Sequence, residues 1–242
     1  MSLALNRLIG FGTLDENGND AFTKVLLHFD GVDASTTITD SNAGGSAHTW
    51  TAYGNAQLDT GITPKFGTAA LLCDGTGDYV EMSDHADLTL GSGNWTAECW
   101  FNRAGGDGGR RFMFGQSVNA MNSNVSINCE LNASNVVVAS VGNGTATLPQ
   151  ITGTTTFTAT GWNHVAVVRT GNTLKLFVNG TQEGGDVSFT GSVHDSSGAF
   201  RVGALGGYAL LMWNGSIDEF RLSVGVARWT ANFTPPTRAY GT

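Results

Sequence analysis

Carboxylates are the side chains of this sequence whose types and spacing could do hydrolytic chemistry. Retaining glycoside hydrolysis needs two carboxyl groups about 5–5.5 Å apart across the scissile bond. On one β-strand this requires acids at positions i and i+2 or i+4, because alternate residues share a face. Asp218 and Glu219 are adjacent, and Glu98 stands between Ala97 and Cys99. We therefore predict no catalytic residue, unless a pair of acids is assembled from separate strands.

The five histidines do not supply a catalytic motif either. His28, His48, His85, His164 and His194 show neither an HExxH pattern nor a paired spacing. His164 lies in an apolar run, where a hydrogen-bonded core histidine is expected rather than a general base. No Gly-x-Ser-x-Gly motif of a nucleophilic serine is present. We expect a protein without enzymatic activity.

The charge of the chain excludes two classes of partner. The formal net charge is −8, and Arg110-Arg111 is the only adjacent basic pair among twelve Lys and Arg residues. Nucleic-acid binding needs a clustered basic surface, and anionic membranes attract basic segments. No run approaches the roughly 20 apolar residues of a membrane span. We expect no nucleic-acid partner and no membrane insertion.

The composition of the chain and the spacing of its turn-forming residues predict an all-β fold. The 242 residues include 34 Gly and only 13% charged residues, a surface chemistry that suits strands and turns better than helices. Short apolar or alternating runs recur between Gly, Asn, Asp and Ser clusters. The candidate strands are residues 24–29, 49–59, 69–73, 79–82, 95–102, 111–115, 123–130, 135–141, 163–170, 173–178, 200–204 and 215–223.

Local turn chemistry adds detail to this prediction. Asn179-Gly180 is the preferred type I′ hairpin dipeptide, because both residues tolerate positive φ. It predicts a further strand from Thr181. Residues 83–88 are expected to form one short helical turn, with Ser83 as a candidate cap.

The chain is expected to form one domain, residues 21–242, after an N-terminal arm or tail at residues 1–20. The arm lacks the features of a signal peptide, and it is either a loose tail or a segment that docks onto a partner. Cys73, Cys99 and Cys129 are an odd number without a CxxC spacing. Buried thiols are the main expectation for them, and a disulfide between two of them is the alternative.

Four segments, in this order, resemble conserved blocks of laminin-G-like (LamG) domains in the concanavalin A-like lectin/glucanase superfamily. The resemblance covers about residues 24–235 and implies an antiparallel jelly-roll sandwich of two packed sheets. The segments are residues 65–82 (KFGTAALLCDGTGDYVEM), 95–101 (WTAECWF), 161–181 (GWNHVAVVRTGNTLKLFVNGT) and 215–223 (GSIDEFRLS).

Segments near both ends of the chain resemble those of a narrower group of LamG-like domains. Residues 225–234 (GVARWTANFT), followed by two prolines, are similar to the ends of LamG-like domains in structural proteins of tailed phages. Residues 25–31 (VLLHFDG) have the same character. This resemblance implies a virion, with other virion proteins or further copies of the chain as partners.

The resemblance also implies one structural calcium ion near the meeting point of the first and last strands. Calcium binds six to eight oxygen ligands, and three acids fall in the corresponding segments: Asp30, Asp40 and Asp218. As an alternative, Asp30 and Asp40 cap turns through backbone amides. Asp218 stands beside apolar Ile217 and needs a compensating partner, for which Arg221 is the alternative to calcium.

Aromatic residues outside the family blocks are the candidate ligand-binding residues. Sugars stack on exposed aromatic rings, and Trp50, Tyr53, Tyr208 and Trp213 lie in or near loops. Burial against the rim of the sandwich is the alternative for these rings. The apolar segment around Tyr208 is equally consistent with a protein–protein contact.

Two functions follow from these observations. The first is a non-catalytic binding or structural module of a virion, such as a phage capsid decoration, fibre or tail protein, with adhesion to host-surface glycans. The second is a bacterial carbohydrate-binding, lectin-like domain at the cell surface or outside the cell.

Overall fold

The computed structural model describes residues 16–105, 109–118, 121–145, 148–207 and 210–241. Residues 1–15 of the predicted arm, and Tyr208, lie outside the described residues. The described chain forms fifteen strands and one 3₁₀ turn at Ala86–Leu88. The strands are β1 (Thr23–Leu27), β2 (Thr51–Tyr53), β3 (Gln57–Asp59), β4 (Ala70–Asp74), β5 (Tyr79–Met82), β6 (Trp95–Arg103), β7 (Arg111–Gln116), β8 (Ile127–Leu131), β9 (Val136–Val141), β10 (Gln150–Thr156), β11 (Asn163–Thr170), β12 (Thr173–Val178), β13 (Thr181–Ser188), β14 (Phe200–Val202) and β15 (Asn214–Val224).

The strands form two antiparallel sheets that pack face to face. Sheet I has the order β13-β12-β11-β6-β15-β4-β3, with β1 also paired to β15, and sheet II has the order β10-β9-β8-β7-β14-β5-β2. The inward side chains of both sheets form one large apolar core. In β5, for example, Val80 and Met82 are buried while Tyr79 and Glu81 are half-buried. The predicted antiparallel jelly-roll sandwich is confirmed.

The candidate strand at residues 49–59 is two strands that belong to opposite sheets. β2 pairs with β5 in sheet II, whereas β3 pairs with β4 in sheet I. Gly54 separates them with φ +65°, a backbone conformation that favours glycine. The continuous β-like composition of this run concealed the point at which the chain crosses the sandwich.

The hairpin strand after Asn179-Gly180 and the short helical turn are both present in the structure. The strand expected from Thr181 is present as β13, after Asn179 and Gly180, which both have positive φ. The expected helical turn is present at Ala86–Leu88, but its cap is His85 rather than Ser83, because Nδ1 of His85 accepts the amide hydrogen of Asp87. Sequence reasoning missed β10, a threonine-rich strand with mostly exposed residues.

The outer face of sheet I is covered by the two ends of the described chain. Residues 225–241 form a strap in which the rings of Trp229 and Phe233 stack with centroids 3.8 Å apart. Trp229 packs on Ala166, Val168 and Phe177 in a second, small apolar cluster. Residues 16–20 lie against the same face, so the segment before β1 is docked onto the sandwich from residue 16 onward.

A fully buried ion pair joins the sheet to both coverings. The guanidinium of Arg221 on β15 is 2.6 Å from Oε1 of Glu98 on β6, and both side chains are 0% exposed. Arg221 also donates to the carbonyl oxygens of Glu16 and Gly18. Oε2 of Glu98 accepts the indole N–H of Trp229 at 2.7 Å. The pair therefore holds the N-terminal segment and the C-terminal strap on one face.

The cysteines do not cross-link the fold. Cys73, Cys99 and Cys129 are free and buried, so the alternative of a disulfide is wrong for this structure. Burial raises the pKa of each thiol above its ordinary value, which keeps the thiols protonated and unreactive. Among the described residues, no helix has the length and apolar character needed to span a membrane.

The Glu98–Arg221 pair predicts a specific loss of stability in acid. Burial raises the pKa of Glu98, but Arg221, His164 and Trp229 outweigh burial and lower it to about 2, from an ordinary value of 4.5. The folded-state pKa is depressed, so the stabilisation is present above pH 4.5 and is lost as pH falls towards 2. Replacing Glu98 leaves the buried Arg221 without its carboxylate, and we expect Glu98→Gln to cost about 3–5 kcal/mol at pH 7.

Urea unfolding at a series of pH values measures this effect. The difference between Glu98→Gln and the parent protein should shrink as pH falls from 4.5 to 2. Asp186→Asn is the control, because Asp186 is 54% exposed in its pair with Lys175 and such pairs contribute about 1 kcal/mol or less. A constant difference across this pH range would contradict the proposed role of Glu98.

Candidate functional site

A strip of polar and aromatic side chains lies on the outer face of sheet II, at its β2 edge. Cross-strand pairing places Thr51 opposite Glu81, Glu81 opposite Arg201, and Tyr53 opposite Tyr79. We call these five residues the tyrosine strip. They share a face because alternate residues of a strand point the same way. The intervening residues of the same strands face the core, so the strip is fixed by the packing beneath it.

The rings of the tyrosine strip form a stack that ends at an exposed tyrosine. Tyr53 and Tyr79 have ring centroids 4.8 Å apart and planes inclined by 18°. Cζ of Arg201 lies 4.1 Å from the centroid of Tyr79, and Nε of Arg201 donates to Glu81 at 2.6 Å. Because β5 lies between β2 and β14, Tyr79 is held between Tyr53 and Arg201. Tyr53 is 40% exposed and presents ring surface to solvent.

The polar row continues across sheet II but is buried in the middle. Arg201 pairs with Gly115, Gly115 with Asn128, and Asn128 with Ser140. Asn128 and Ser140 are both 0% exposed. A Cβ at Gly115 would lie 2.6 Å from Cδ1 of Leu205, so the segment after β14 covers this part of the sheet. The row is exposed at the β2 end of the tyrosine strip, at Thr51 and Tyr53, while Tyr79, Glu81 and Arg201 are half-buried.

The four predicted ligand-binding aromatic residues differ in their exposure to solvent. Trp50 is 6% exposed and Trp213 is 1% exposed, so both rings belong to the core and neither offers an open face to a sugar. Trp213 packs edge-on against Phe101, and its indole N–H donates to the carbonyl oxygen of Ser216. Tyr53 is exposed, and Tyr208 lies outside the described residues.

Sequence reasoning missed four members of the tyrosine strip, which are Thr51, Tyr79, Glu81 and Arg201. Tyr79 and Glu81 fall inside a family block, which made them look structural. Arg201 is 120 residues from Glu81 in the chain, and only the register of β14 against β5 brings them together. One signal for Tyr79 and Glu81 was available in the sequence. The alternation of polar and apolar residues in β5 predicts that these two side chains share a face opposite to Val80.

Asp218 does not fit the calcium site that the resemblance implies. Its Oδ2 accepts the backbone N–H groups of Lys65 at 2.9 Å and Phe66 at 3.1 Å, and its Oδ1 accepts that of Glu219. These three hydrogen bonds tie the carboxylate of Asp218 to the backbone on both of its oxygens. Burial raises the pKa of Asp218 to about 8, although the amide of Phe66 lowers it. Asp218 is therefore compensated by backbone amides, and Arg221 is paired with Glu98 instead.

The other two acids are also engaged with the backbone. Oδ1 of Asp40 accepts the N–H groups of Leu26 and Asn42, and Oδ1 of Asp30 accepts that of Thr68. Asp30, Asp40 and Asp218 do not form a cluster of ligand atoms within 4.8 Å of one another in the described part of the chain. The expected calcium ligands therefore stabilise turns and strand ends, and the three residues do not fit a common ion.

Asp30 borders a small cleft at the end of β1. The cleft has a volume of about 230 Å³, below the roughly 300–1,000 Å³ of typical small-molecule sites. On its wall, Nδ1 of His28 lies 2.8 Å from the buried carboxylate of Glu219. The lining residues are His28, Phe29, Asp30, Thr37, Ile38, Thr39, Ser41 and Leu58.

The three acids that were candidates for a hydrolytic pair are buried and inaccessible to a substrate. Glu98, Asp218 and Glu219 are 0%, 0% and 1% exposed. Glu98 is paired with Arg221, Asp218 accepts backbone amides, and Glu219 bonds to His28 and to the amide of Tyr240. A glycosidic bond could not reach these three carboxylates without unfolding the surface over them. Their arrangement supports the fold and presents no acid–base pair to solvent.

The two-sheet antiparallel sandwich is the architecture of a concanavalin A-like domain. Residues 74–227 match the Laminin_G_3 family, described as the concanavalin A-like lectin/glucanases superfamily. The chain belongs to this family, as the four sequence blocks indicated. No curated protein matches the chain.

Solved structures of the same fold are distant in sequence. The binding domain of Paraclostridial Mosquitocidal Protein 1 has a TM-score of 0.63 at 13% identity, over 85% of this chain and 50% of that one. The botulinum neurotoxin serotype D binding domain has a TM-score of 0.61 at 11% identity, over 86% and 50%. The chain thus spans about half the length of these toxin domains. Domain 4 of AbnA, an extracellular arabinanase from Geobacillus stearothermophilus, has a TM-score of 0.55 at 17% identity, over 85% and 93%.

The poor fit to calcium gives a prediction about stability. Adding Ca²⁺ to the metal-stripped protein should leave its Tm unchanged, because an ion that bound only the folded state would raise Tm by mass action. Differential scanning calorimetry over a range of Ca²⁺ concentrations measures this, with Mg²⁺ as the control for ionic strength. A saturable rise in Tm with Ca²⁺ alone would show that the carboxylates rearrange to bind it.

Proposed function

We propose that the protein is a non-catalytic binding module whose ligand is a carbohydrate and whose binding surface is the tyrosine strip. The observation that carries this proposal is the exposed ring of Tyr53, which stacks on Tyr79, while Tyr79 in turn packs against Arg201. An aromatic ring that is both exposed and fixed loses little conformational entropy when a ligand covers it. The surface is therefore preorganised for a flat apolar partner such as the C–H face of a pyranose.

The neighbours of Tyr53 supply the polar contacts that a sugar also requires. Glu81 accepts hydrogen bonds, Arg201 donates them, and Thr51 does both. Glu81 and Arg201 hold each other at 2.6 Å, so both groups are in place before a ligand binds. This arrangement, one apolar ring face beside a few polar groups of fixed orientation, is typical of specific small-ligand recognition.

The related structures are consistent with this proposal but do not transfer a function. The structure of the arabinanase domain is a complex with arabinotriose, and one botulinum neurotoxin binding domain was solved in complex with SialylT. Each of these ligands belongs to its own protein. For this chain, the exposed and fixed ring of Tyr53 is the feature that supports carbohydrate binding.

The biological setting that we propose is the surface of a virion, where the domain acts in adhesion to host glycans. The support is the phage-like character of residues 225–234, together with a net charge of −8 that disfavours nucleic acid. Other virion proteins, or further copies of the chain, are the partners that this setting implies. A bacterial carbohydrate-binding domain is the alternative, and it uses the same surface.

Particle composition separates these two settings. If the domain belongs to a virion, mass spectrometry of purified particles from the source organism should detect its peptides in a constant ratio to the capsid protein. Soluble fractions of uninfected cells serve as the control. Peptides that are absent from particles but present at the cell surface would favour the bacterial alternative.

The glycan-binding surface is tested with Tyr53 variants. A glycan array identifies a ligand for the parent protein, and we expect Tyr53→Ala to weaken its binding at least tenfold, about 1.4 kcal/mol. Tyr53→Phe keeps the ring and should retain most of the affinity. Because Tyr53 is exposed, the variants should remain folded.

A matched surface control completes this test. Val32→Ser changes a side chain that is 75% exposed and lies outside the strip, so it should bind like the parent. Equal binding by the parent and Tyr53→Ala would remove the tyrosine strip from the proposal. A folded parent protein that binds no glycan would contradict the carbohydrate function itself.

A further inference from the structure

Two histidines and an aspartate from distant segments meet beside the 3₁₀ turn. His48 precedes β2, while His85 and Asp87 lie at the start of the turn. Nε2 of His48 is 3.2 Å, and Nδ1 of His85 is 3.3 Å, from Oδ2 of Asp87. One ligand atom from each residue lies within 4.8 Å of the other two, and the imidazole centroids are 4.9 Å apart. Three metal-ligating groups therefore converge on one point.

A fourth residue fixes the nitrogen that His48 directs at this point. Nδ1 of His48 is 2.7 Å from Oδ2 of Asp40, and the other oxygen of Asp40 is held by the amides of Leu26 and Asn42. In the neutral ring, a proton on Nδ1 would be donated to Asp40, and Nε2 would then carry a lone pair. A carboxylate behind a ligating histidine is the arrangement that supports histidine ligands of metal ions.

Three acceptor atoms lie close together here: Nε2 of His48, Nδ1 of His85 and Oδ2 of Asp87. When the ring of His48 is neutral and donates to Asp40, no proton lies between Nε2 of His48 and the carboxylate of Asp87. Nδ1 of His85 also offers a lone pair, which now accepts the amide hydrogen of Asp87 at 3.1 Å. A metal ion bound by all three atoms would replace this amide hydrogen on His85 and the amide hydrogen of Ser46 on Oδ2 of Asp87.

We propose that His48, His85 and Asp87 bind one Zn²⁺ ion, or a similar divalent transition-metal ion, with Asp40 as a positioning residue. Two imidazole nitrogens and one carboxylate oxygen are a donor set that suits zinc, whereas calcium prefers oxygen ligands alone. The side chain of His48 is 3% exposed, and those of His85 and Asp87 are 39% and 18% exposed. The fourth position of a tetrahedral ion would therefore face solvent and accept a water molecule or a polar ligand group.

The ion would connect segments that the strands leave separate. Ser46 donates its amide to Asp87 at 2.7 Å, so residues 40–48 already contact the 3₁₀ turn. Asp40 stands between Thr39 and Ser41, which line the small cleft, and His48 lies just before the strand that carries Tyr53. Metal binding would fix this loop against the sandwich. The site is distinct from the tyrosine strip and does not depend on the proposed glycan function.

The test uses the full chain, free of any histidine tag and stripped of metal. Calorimetric titration with Zn²⁺ should show saturable binding of one ion per chain, and Zn²⁺ should raise Tm by mass action. Co²⁺ in place of Zn²⁺ should give the visible absorption of a four-coordinate site. Ca²⁺ at the same concentrations should give neither effect.

Variants assign the ligands. His85→Gln and Asp87→Asn should abolish tight one-to-one binding, and Asp40→Asn should weaken it about 10–100-fold, as expected for a residue behind a ligand. His194→Gln, which changes a half-buried histidine outside the cluster, should bind Zn²⁺ like the parent. Circular dichroism confirms that each variant is folded, and the exposure of His85 makes His85→Gln the safest of them.

Three results would overturn the proposal in whole or in part. The absence of saturable one-to-one binding by the folded parent would exclude the site. Equal affinity in the parent, His85→Gln and Asp87→Asn would place the ion elsewhere. Unchanged affinity in Asp40→Asn, with binding lost in His85→Gln, would overturn the positioning role of Asp40.

Discussion

The buried pair of Glu98 and Arg221 is the interaction that holds both ends of the described chain over the outer face of sheet I. It lies on the outer face of sheet I, where two charges without water would be costly unless every hydrogen-bonding position were filled. The fold fills them with groups from both ends of the described chain: carbonyl oxygens of Glu16 and Gly18, and the indole of Trp229. The ring of Tyr240 completes the cover, 3.8 Å from the guanidinium of Arg221. A sheet face that would be open in a simple sandwich is thereby converted into a second core.

A second constraint lies at the centre of β15, where the strand changes partners. Its first half pairs with β4 and its second half with β1. Between the halves, the register with β6 shifts, and Glu219 has φ 50°, a left-handed conformation that costs free energy for a residue with a side chain. The bulge turns Glu219 towards His28 and leaves Asp218 to accept the amides of Lys65 and Phe66. The acids that resemble catalytic or calcium ligands in the sequence are thus committed to holding strand ends together.

With these acids committed to the fold, the chemistry available for ligands lies at the margins of the sandwich. The tyrosine strip is at one edge of sheet II, and the histidine cluster joins a loop to the 3₁₀ turn. Both surfaces depend on the rigid sheets beneath them, because short loops alone would not hold rings and imidazoles in fixed orientations. The two proposed sites differ in kind: one presents an apolar ring beside polar groups, and the other brings two imidazoles and one carboxylate within 4.8 Å of one another.

The sequence by itself determined the fold class, the family blocks and the turn at Asn179-Gly180, because period-2 alternation and turn chemistry are local properties of the chain. It did not determine which aromatic rings are buried: for Trp50 and Trp213 it left both a binding surface and burial open, and both rings lie in the core. It also did not place Asp218 among backbone amides, join Glu81 to Arg201 across 120 residues, or bring His48 to His85 and Asp87. These contacts depend on strand register and on where the chain crosses between sheets. Both are set by the packing of the whole core, so only the tertiary structure decided them.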